Sequence, residues 1–88
     1  LQQNYPNPFN PSTTIEYDLP EDGRIALVIY NNLGQKIRTL YEGTQLAGTH
    51  RISWDGRDDR GKALASGVYF YTLKAANIVQ TKKMLLIH

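Results

Sequence analysis

Three groupings along this chain carry residue types capable of chemistry. Asp55, Asp58 and Asp59 set hard oxygen donors at short spacing beside a glycine, Gly56, the kind of material calcium loops use. The spacing departs from such a loop. Counted from Asp55, the third position is Arg57 and the twelfth is Ser66, where a bidentate Glu is required, and Arg57, Arg60 and Lys62 already supply counter-charge. A polar turn held by aspartate side-chain bonds to backbone is the favoured reading. His50 and Ser53 suggest a hydrolase pair, but three residues apart on an extended strand they face opposite ways, so the imidazole does not reach the hydroxyl locally. Tyr69, Phe70 and Tyr71, with Lys74, Lys82 and Lys83 in reach, have the composition of a stacking platform. Period-2 alternation sends Tyr69 and Tyr71 one way and Phe70 the other, which favours core packing over a sugar-stacking surface.

The elements that must position these residues are strands. Thr13 to Leu19 alternates, with Ile15, Tyr17 and Leu19 on one face and Thr14, Glu16 and Asp18 on the other. Pro20-Glu21-Asp22-Gly23 has turn chemistry, and Ile25, Leu27 and Ile29 continue the inward set. Ala26, Val28 and Tyr30 make the second face of that strand apolar too, so a cover is expected, and the segment Tyr5 to Phe9 is a candidate for it. Asn31-Asn32-Leu33-Gly34 reads as a tight hairpin loop, returning through Gln35 to Leu40. Ile37 and Leu40 are three apart, a phase slip that predicts a β-bulge or change of partner near Arg38 and Thr39. Glu42 to Gln45 and Ala47-Gly48 read as turns. His50, Ile52 and Trp54 then share a face, with Trp54 at the core centre, before the polar loop Asp55 to Lys62.

Gly67 launches the longest strand pattern, Val68 to Ala75. Ala76-Asn77 is the last expected turn, and Ile78 to Ile87 the closing strand, with Lys82 and Lys83 placing one cation on each face. About seven short strands without helical periodicity predict an all-β, immunoglobulin-like antiparallel sandwich. Residues 13–88 are read as the sandwich and residues 1–12 as an extended Pro/Asn-rich lead segment packing on it, since all 4 prolines fall in the first twenty residues and residues preceding proline favour extended geometry.

Bulk properties exclude several function classes. The 88 residues allow one small domain. With Lys+Arg 10 against Asp+Glu 8, a net charge of +2 is not the concentrated basic face that nucleic acid requires. The absence of cysteine removes disulfides, thiolate nucleophiles and thiolate metal sites. The longest apolar run, Ile25 to Tyr30, is far short of the roughly 20 residues of a membrane span. No basic n-region precedes Leu1, so the chain reads as part of a longer exported protein. No catalytic residues, cofactor or metal are assigned, and an enzyme is not expected.

The closing strand is apolar on both faces at Met84, Leu85, Leu86 and Ile87, which suits either an edge strand of one sheet or a strand offered to a receptor by β-strand addition. Its composition joins a wider pattern: Leu1-Gln2-Gln3-Asn4-Tyr5-Pro6-Asn7-Pro8-Phe9-Asn10-Pro11, Ile29-Tyr30-Asn31 with Leu33-Gly34-Gln35, Ala47-Gly48 with His50, Trp54-Asp55-Gly56, Ala65-Ser66-Gly67-Val68-Tyr69-Phe70-Tyr71, and Lys82-Lys83-Met84. In order and spacing these residues resemble the type A C-terminal sorting domain of the type IX secretion system, itself related to the immunoglobulin-like domain of flagellar hook-capping proteins.

That resemblance implies a non-enzymatic signal at the C-terminus of a secreted cargo protein. It implies export through the periplasm and across the outer membrane to the cell surface or medium. The implied partners are the type IX translocon and a sortase-like peptidase, which removes the domain and joins the cargo to an anionic lipopolysaccharide. Partner recognition is assigned by the resemblance to Thr81, Lys82, Lys83, Met84, Leu85, Leu86 and Ile87. Family members commonly end in a basic residue, whereas this chain ends Ile87-His88. Two other classes remain open: a carbohydrate-binding module using Tyr41, Tyr69 and Tyr71, and a structural interaction module of an appendage. A monomer is expected for the sorting domain and an oligomer for the structural module.

Overall fold

Alternation of apolar and polar residues dictates the first strand, β1 (Thr13–Leu19), whose Ile15, Tyr17 and Leu19 are buried while Asp18 faces solvent. The computed structural model describes residues 1–87. It continues with β2 (Gly23–Asn31), β3 (Lys36–Gln45), β4 (Gly48–Trp54), β5 (Gly67–Ala75) and β6 (Ile78–Leu86). These form two antiparallel sheets, β1-β4 and β3-β2-β5-β6, so the fold is the expected all-β sandwich. Among the described residues six strands form where about seven were expected, and the lead segment contributes the isolated bridges Tyr5↔Thr14 and Phe9↔Leu86. His88, included in the expected sandwich range, lies outside the described residues.

The core fills the gap between the sheets. Ile15, Tyr17 and Trp54 from the small sheet meet Leu27, Ile29, Tyr71, Leu73, Met84 and Leu86 from the large one, all with 1 % exposure or less. Trp54 lies between Phe9 and Tyr69, with ring centroids 5.6 Å and 5.8 Å away, and donates its indole N–H to Arg57 O at 2.9 Å. Trp54 therefore holds the central place expected of it.

The phase slip in β3 resolves into two register shifts against β2. Leu27 faces Tyr41 and Val28 faces Thr39, leaving Leu40 over; Ile29 faces Arg38 and Tyr30 faces Lys36, leaving Ile37 over. The extra residues are the two aliphatics that broke the alternation, and both pack against the core. The hairpin loop closes as expected, with Asn31 Oδ1 accepting the N–H groups of Leu33 and Gln35 and Gly34 at φ +80°.

Two expectations about the elements are corrected. Glu42 to Gln45 is strand, not turn, because it pairs with Gly23 to Ala26, and pairing along a long neighbour overrides local turn composition. Residues 4–11 are not one extended run. They bend at 6–8 and again at 10–11, where Asn4 Nδ2 and Thr13 Oγ1 both donate to Pro6 O and draw the chain back on itself. Nor does this segment cover the outer face of β2: it runs along the open side of the sandwich, between β1 and β6.

Candidate functional site

The two ends of the chain meet at that open side. The Leu1 nitrogen donates to Gln80 Oε1 (3.0 Å) and Gln3 Nε2 to Lys83 O (2.8 Å). Leu85 N–H donates to Asn7 Oδ1 (2.9 Å), Phe9 N–H to Leu85 O (3.0 Å) and Ile87 N–H to Phe9 O (2.9 Å). On its other side the segment holds β1 through Gln2 N–H to Glu16 O and the reciprocal Tyr5–Thr14 bonds, each 2.9 Å. Tyr71 of the large sheet holds the segment from within: its hydroxyl accepts Asn4 N–H at 2.8 Å and donates to Gln2 O at 2.7 Å. The lead segment is thus a lace between the edge strands of the two sheets.

Each residue of the lead motif has a distinct place in the lace. Asn4 is 2 % exposed and bonds Pro6 O and Thr13 Oγ1. Phe9 is 1 % exposed and belongs to the core, while Tyr5 is 81 % exposed, and Pro6, Pro8, Asn10 and Pro11 are also at the surface. Gly56 is buried at φ +75°, and a Cβ there would stand 3.1 Å from Pro11 O and 3.6 Å from Leu86 Cδ1. Trp54-Asp55-Gly56 therefore forms the floor under the junction of lead and tail. Asp55 caps the loop by accepting Arg57 N–H at 3.1 Å. Gly67 opens β5 opposite Leu86, and Tyr69 donates its hydroxyl to Ala65 O at 2.6 Å.

The tail divides by alternation. Met84 and Leu86 point into the core, and Lys82 is half-buried opposite Tyr71; Thr81, Lys83, Leu85 and Ile87 face outward. The outward set is what a partner can touch. Strand addition at the end of β6 meets an obstacle in the folded chain, since the outward N–H and C=O of Leu85 and the N–H of Ile87 are already bonded to Asn7 and Phe9. The roles of Gln3 and Tyr71 escaped sequence reading because their partners lie 80 and 67 residues away, with no local pattern to mark them.

The other groupings resolve in favour of structure. Asp58 Oδ1 accepts the N–H groups of Lys62 and Arg60, both at 2.9 Å, and Asp59 Oδ1 accepts Thr39 N–H at 3.1 Å. The bond from Lys62, then that from Arg60 with the charges of both side chains, holds the Asp58 carboxyl below its ordinary range. Among the described residues no group of three or more His, Asp or Glu side chains stands close enough to hold a metal. His50 stacks on Tyr17 at 5.5 Å with its Nε2 2.7 Å from Leu46 O, and Ser53 faces the other way, so they form no catalytic pair. Tyr69 and Tyr71 are core residues, and burial raises the pKa of both and of Tyr17. Two of the three aromatics a sugar-stacking surface would need are therefore inside the core.

Comparison with known proteins follows the same lines. Residues 10–78 match the family model of the FlgD Ig-like domain. Among curated proteins, the basal-body rod modification proteins FlgD of Salmonella typhimurium and Salmonella typhi are each 32 % identical over 63 residues, 72 % of this chain but 27 % of theirs. The chain spans about a quarter of the length of these relatives. Among solved structures, FlgD of P. aeruginosa superposes with a TM-score of 0.67 at 21 % identity, covering 84 % of this chain and 57 % of that one. PorZ of Porphyromonas gingivalis, described as an essential surface component of its type-IX secretion system, gives 0.67 at 24 % identity over 98 % of this chain and 11 % of its own. Dimeric latent PorU from Porphyromonas gingivalis gives 0.72 at 20 % identity, covering 97 % and 9 %. At these identities the three structures establish the shared fold.

Proposed function

The chain belongs to the FlgD Ig-like domain family, a structural and not a catalytic module, and from that premise we propose that it is a C-terminal sorting domain. In this reading it directs a secreted cargo across the outer membrane through the type IX system. A sortase-like peptidase then removes it and leaves the cargo on the cell surface, the domain itself acting as a monomer. One observation carries the reading: the lead motif and the tail, at opposite ends of the sequence, are laced into a single surface. A receptor approaching that surface meets Tyr5 and Asn7 beside Lys83, Leu85 and Ile87, with Met84 and Leu86 as the anchors that hold the tail in place.

The extent of the matches supports the same choice. The FlgD Ig-like model stops at residues 10 and 78, leaving out nearly all of the lead motif and of β6. The two type-IX components cover 98 % and 97 % of the chain. The test is export of a passive reporter fused to residues 1–88, compared with the same fusion ending at Thr81, in a host with this machinery. Export of the full fusion is expected and of the truncated one is not. Periplasmic retention of a correctly folded full fusion would sink the proposal.

A second reading, a structural module that assembles within an appendage, is favoured by the 32 % identity to the FlgD proteins. Its mark is self-association. A strict monomer in analytical ultracentrifugation counts against it.

A further inference from the structure

The sandwich has two layers, so among the described residues the face of β3-β2-β5-β6 turned away from the small sheet has no third layer over it. Register places its side chains in rows across the four strands. One row reads Lys36, Tyr30, Phe70, Lys83; the next reads Thr39, Val28, Thr72, Thr81; beyond the first lie Val68 and Leu85. The apolar part is the first row with its neighbours, where Tyr30, Phe70 and Val68 are half-buried, Val28 is 8 % exposed and Leu85 is 37 % exposed; a further row, Glu42, Ala26, Lys74 and Val79, adds one charge of each sign on the far side of the threonines. Exposed lysines close the first row at both ends, and with neighbouring strands about 4.8 Å apart they stand about 14 Å from each other across three strand spacings.

The outer face of the small sheet differs in kind. Its rows are Thr14 with Ser53, Glu16 with Arg51 and Asp18 with Thr49; Arg51 bonds Glu16 at 2.7 Å and Thr49 bonds Asp18. On that face Glu16 is paired with Arg51, and Asp18 has a hydroxyl donor. Lys36 and Lys83, by contrast, join no ion pair among the described residues, where Arg38 and Arg51 are the only cations in salt bridges.

We propose that this outer face is a docking site for an acidic protein partner, one presenting an apolar strip between carboxylates spaced to meet Lys36 and Lys83. The match is an apolar centre with a charged rim, the usual division between burial and specificity. The lysine stems extend the apolar floor while their ammonium groups stay in water at its ends. A protein fits better than a sugar polymer, because Val28, Val68 and Leu85 offer aliphatic contact and no stacking plane, and the two rings are half-buried among their neighbours. The face shares Lys83 and Leu85 with the surface proposed for the sorting receptor, and the binding test reads it on the chain alone, whether or not the chain is exported.

The test is an NMR titration of the ¹⁵N-labelled 88-residue chain with a ten-residue extended peptide carrying Leu, Val and Phe at its centre and two acidic residues at each end. Saturable shifts are expected, confined to amides at Val28, Tyr30, Lys36, Val68, Phe70, Lys83 and Leu85. The double variant Lys36→Glu/Lys83→Glu keeps its fold and weakens binding by about tenfold. A peptide with lysines in place of the acids does not bind. The proposal is overturned by no saturable shift at millimolar peptide, by shifts centred on the small sheet, by equal binding of the lysine-ended peptide, or by tighter binding of polygalacturonate at the same amides.

Discussion

Replacing Phe9 with Ala separates a lead segment that is part of the fold from one that merely precedes it. The ring is 1 % exposed and sits 5.6 Å from Trp54, so truncation leaves a void in the core beside the indole. Phe→Ala at such a site costs about 3–5 kcal/mol, including about 0.5–1.5 for the aromatic pair. A domain of this size holds about 5–10 kcal/mol in total, so roughly a third or more of the stability goes with one side chain of the lead segment. With a urea m-value near 1 kcal/mol/M, the midpoint falls by roughly 3 M or more; with about 4–8 °C per kcal/mol, Tm falls by at least ~12 °C. Tyr5→Ala is the internal control. Tyr5 is four residues earlier and 81 % exposed, and its loss stays within about 0.5 kcal/mol. Urea melts of both variants, followed by tryptophan fluorescence, measure the difference. If Phe9→Ala moves the midpoint no more than Tyr5→Ala at unchanged m, the lace is not part of the cooperative unit and the joint surface of lead and tail loses its basis.

Trp54→Ala is expected to cost about 3–5 kcal/mol, whereas Lys83→Ala, on an exposed face, leaves the melt within about 0.5; equal losses on thermal denaturation would assign the lysine a structural role. Gly56→Ala forces a side chain into left-handed backbone and against Pro11 O, with an expected loss of about 1–2 kcal/mol and weakened amide protection at Leu85 and Ile87 by hydrogen exchange; unchanged protection counts against that junction. Asp58 binds protons less readily folded than unfolded, so its contribution is complete above its unfolded pKa near 3.9 and is lost as pH falls through its lower folded value. Asp58→Ala accordingly flattens the acid limb of a pH–stability profile below about pH 4, and an unchanged limb refutes it. Tyr17, Tyr69 and Tyr71 are pushed the other way, so the stability tied to their neutral hydroxyls is intact below pH ~10 and lost above it. In alkali their ionisation, followed by ultraviolet absorbance, coincides with unfolding and not with an earlier step.

What was legible in the sequence is what period 2 encodes. Ile15, Tyr17 and Leu19, or Ile52 and Trp54, announce their face because each strand repeats its choice every second residue, and burial enforces the register. Even the failure of the pattern was informative, since Ile37 and Leu40 broke phase where the bulges occur. Illegible was anything decided by a distant strand. Glu42 to Gln45 carries turn-like composition and is nonetheless strand, because β2 runs long enough to pair with it. The lead segment does not cover the outer face of β2, where Val28 is buried between its cross-strand neighbours Thr39 and Thr72.

The terminal motifs were visible separately, and their union was not. A run of prolines and asparagines at one end and a basic-apolar strand at the other hold no mutual signal in composition. The link is made by single side chains reaching across strands: Gln3 to Lys83 O, Asn7 to Leu85 N–H, and Tyr71 between Asn4 and Gln2. This changes what the tail can offer a partner. Strand addition needs a bare edge, yet at Leu85 and Ile87 the edge is filled by the chain's own Asn7 and Phe9. A receptor for the folded domain therefore reads side chains, the outward Thr81, Lys83, Leu85 and Ile87, unless it first lifts the lead segment. Lifting it means drawing Phe9 out of the core, at a cost on the scale of the Phe9→Ala loss. The stability of the lace thus sets the barrier to recognition by strand pairing, and a variant that loosens the lace while preserving the sandwich would favour that mode.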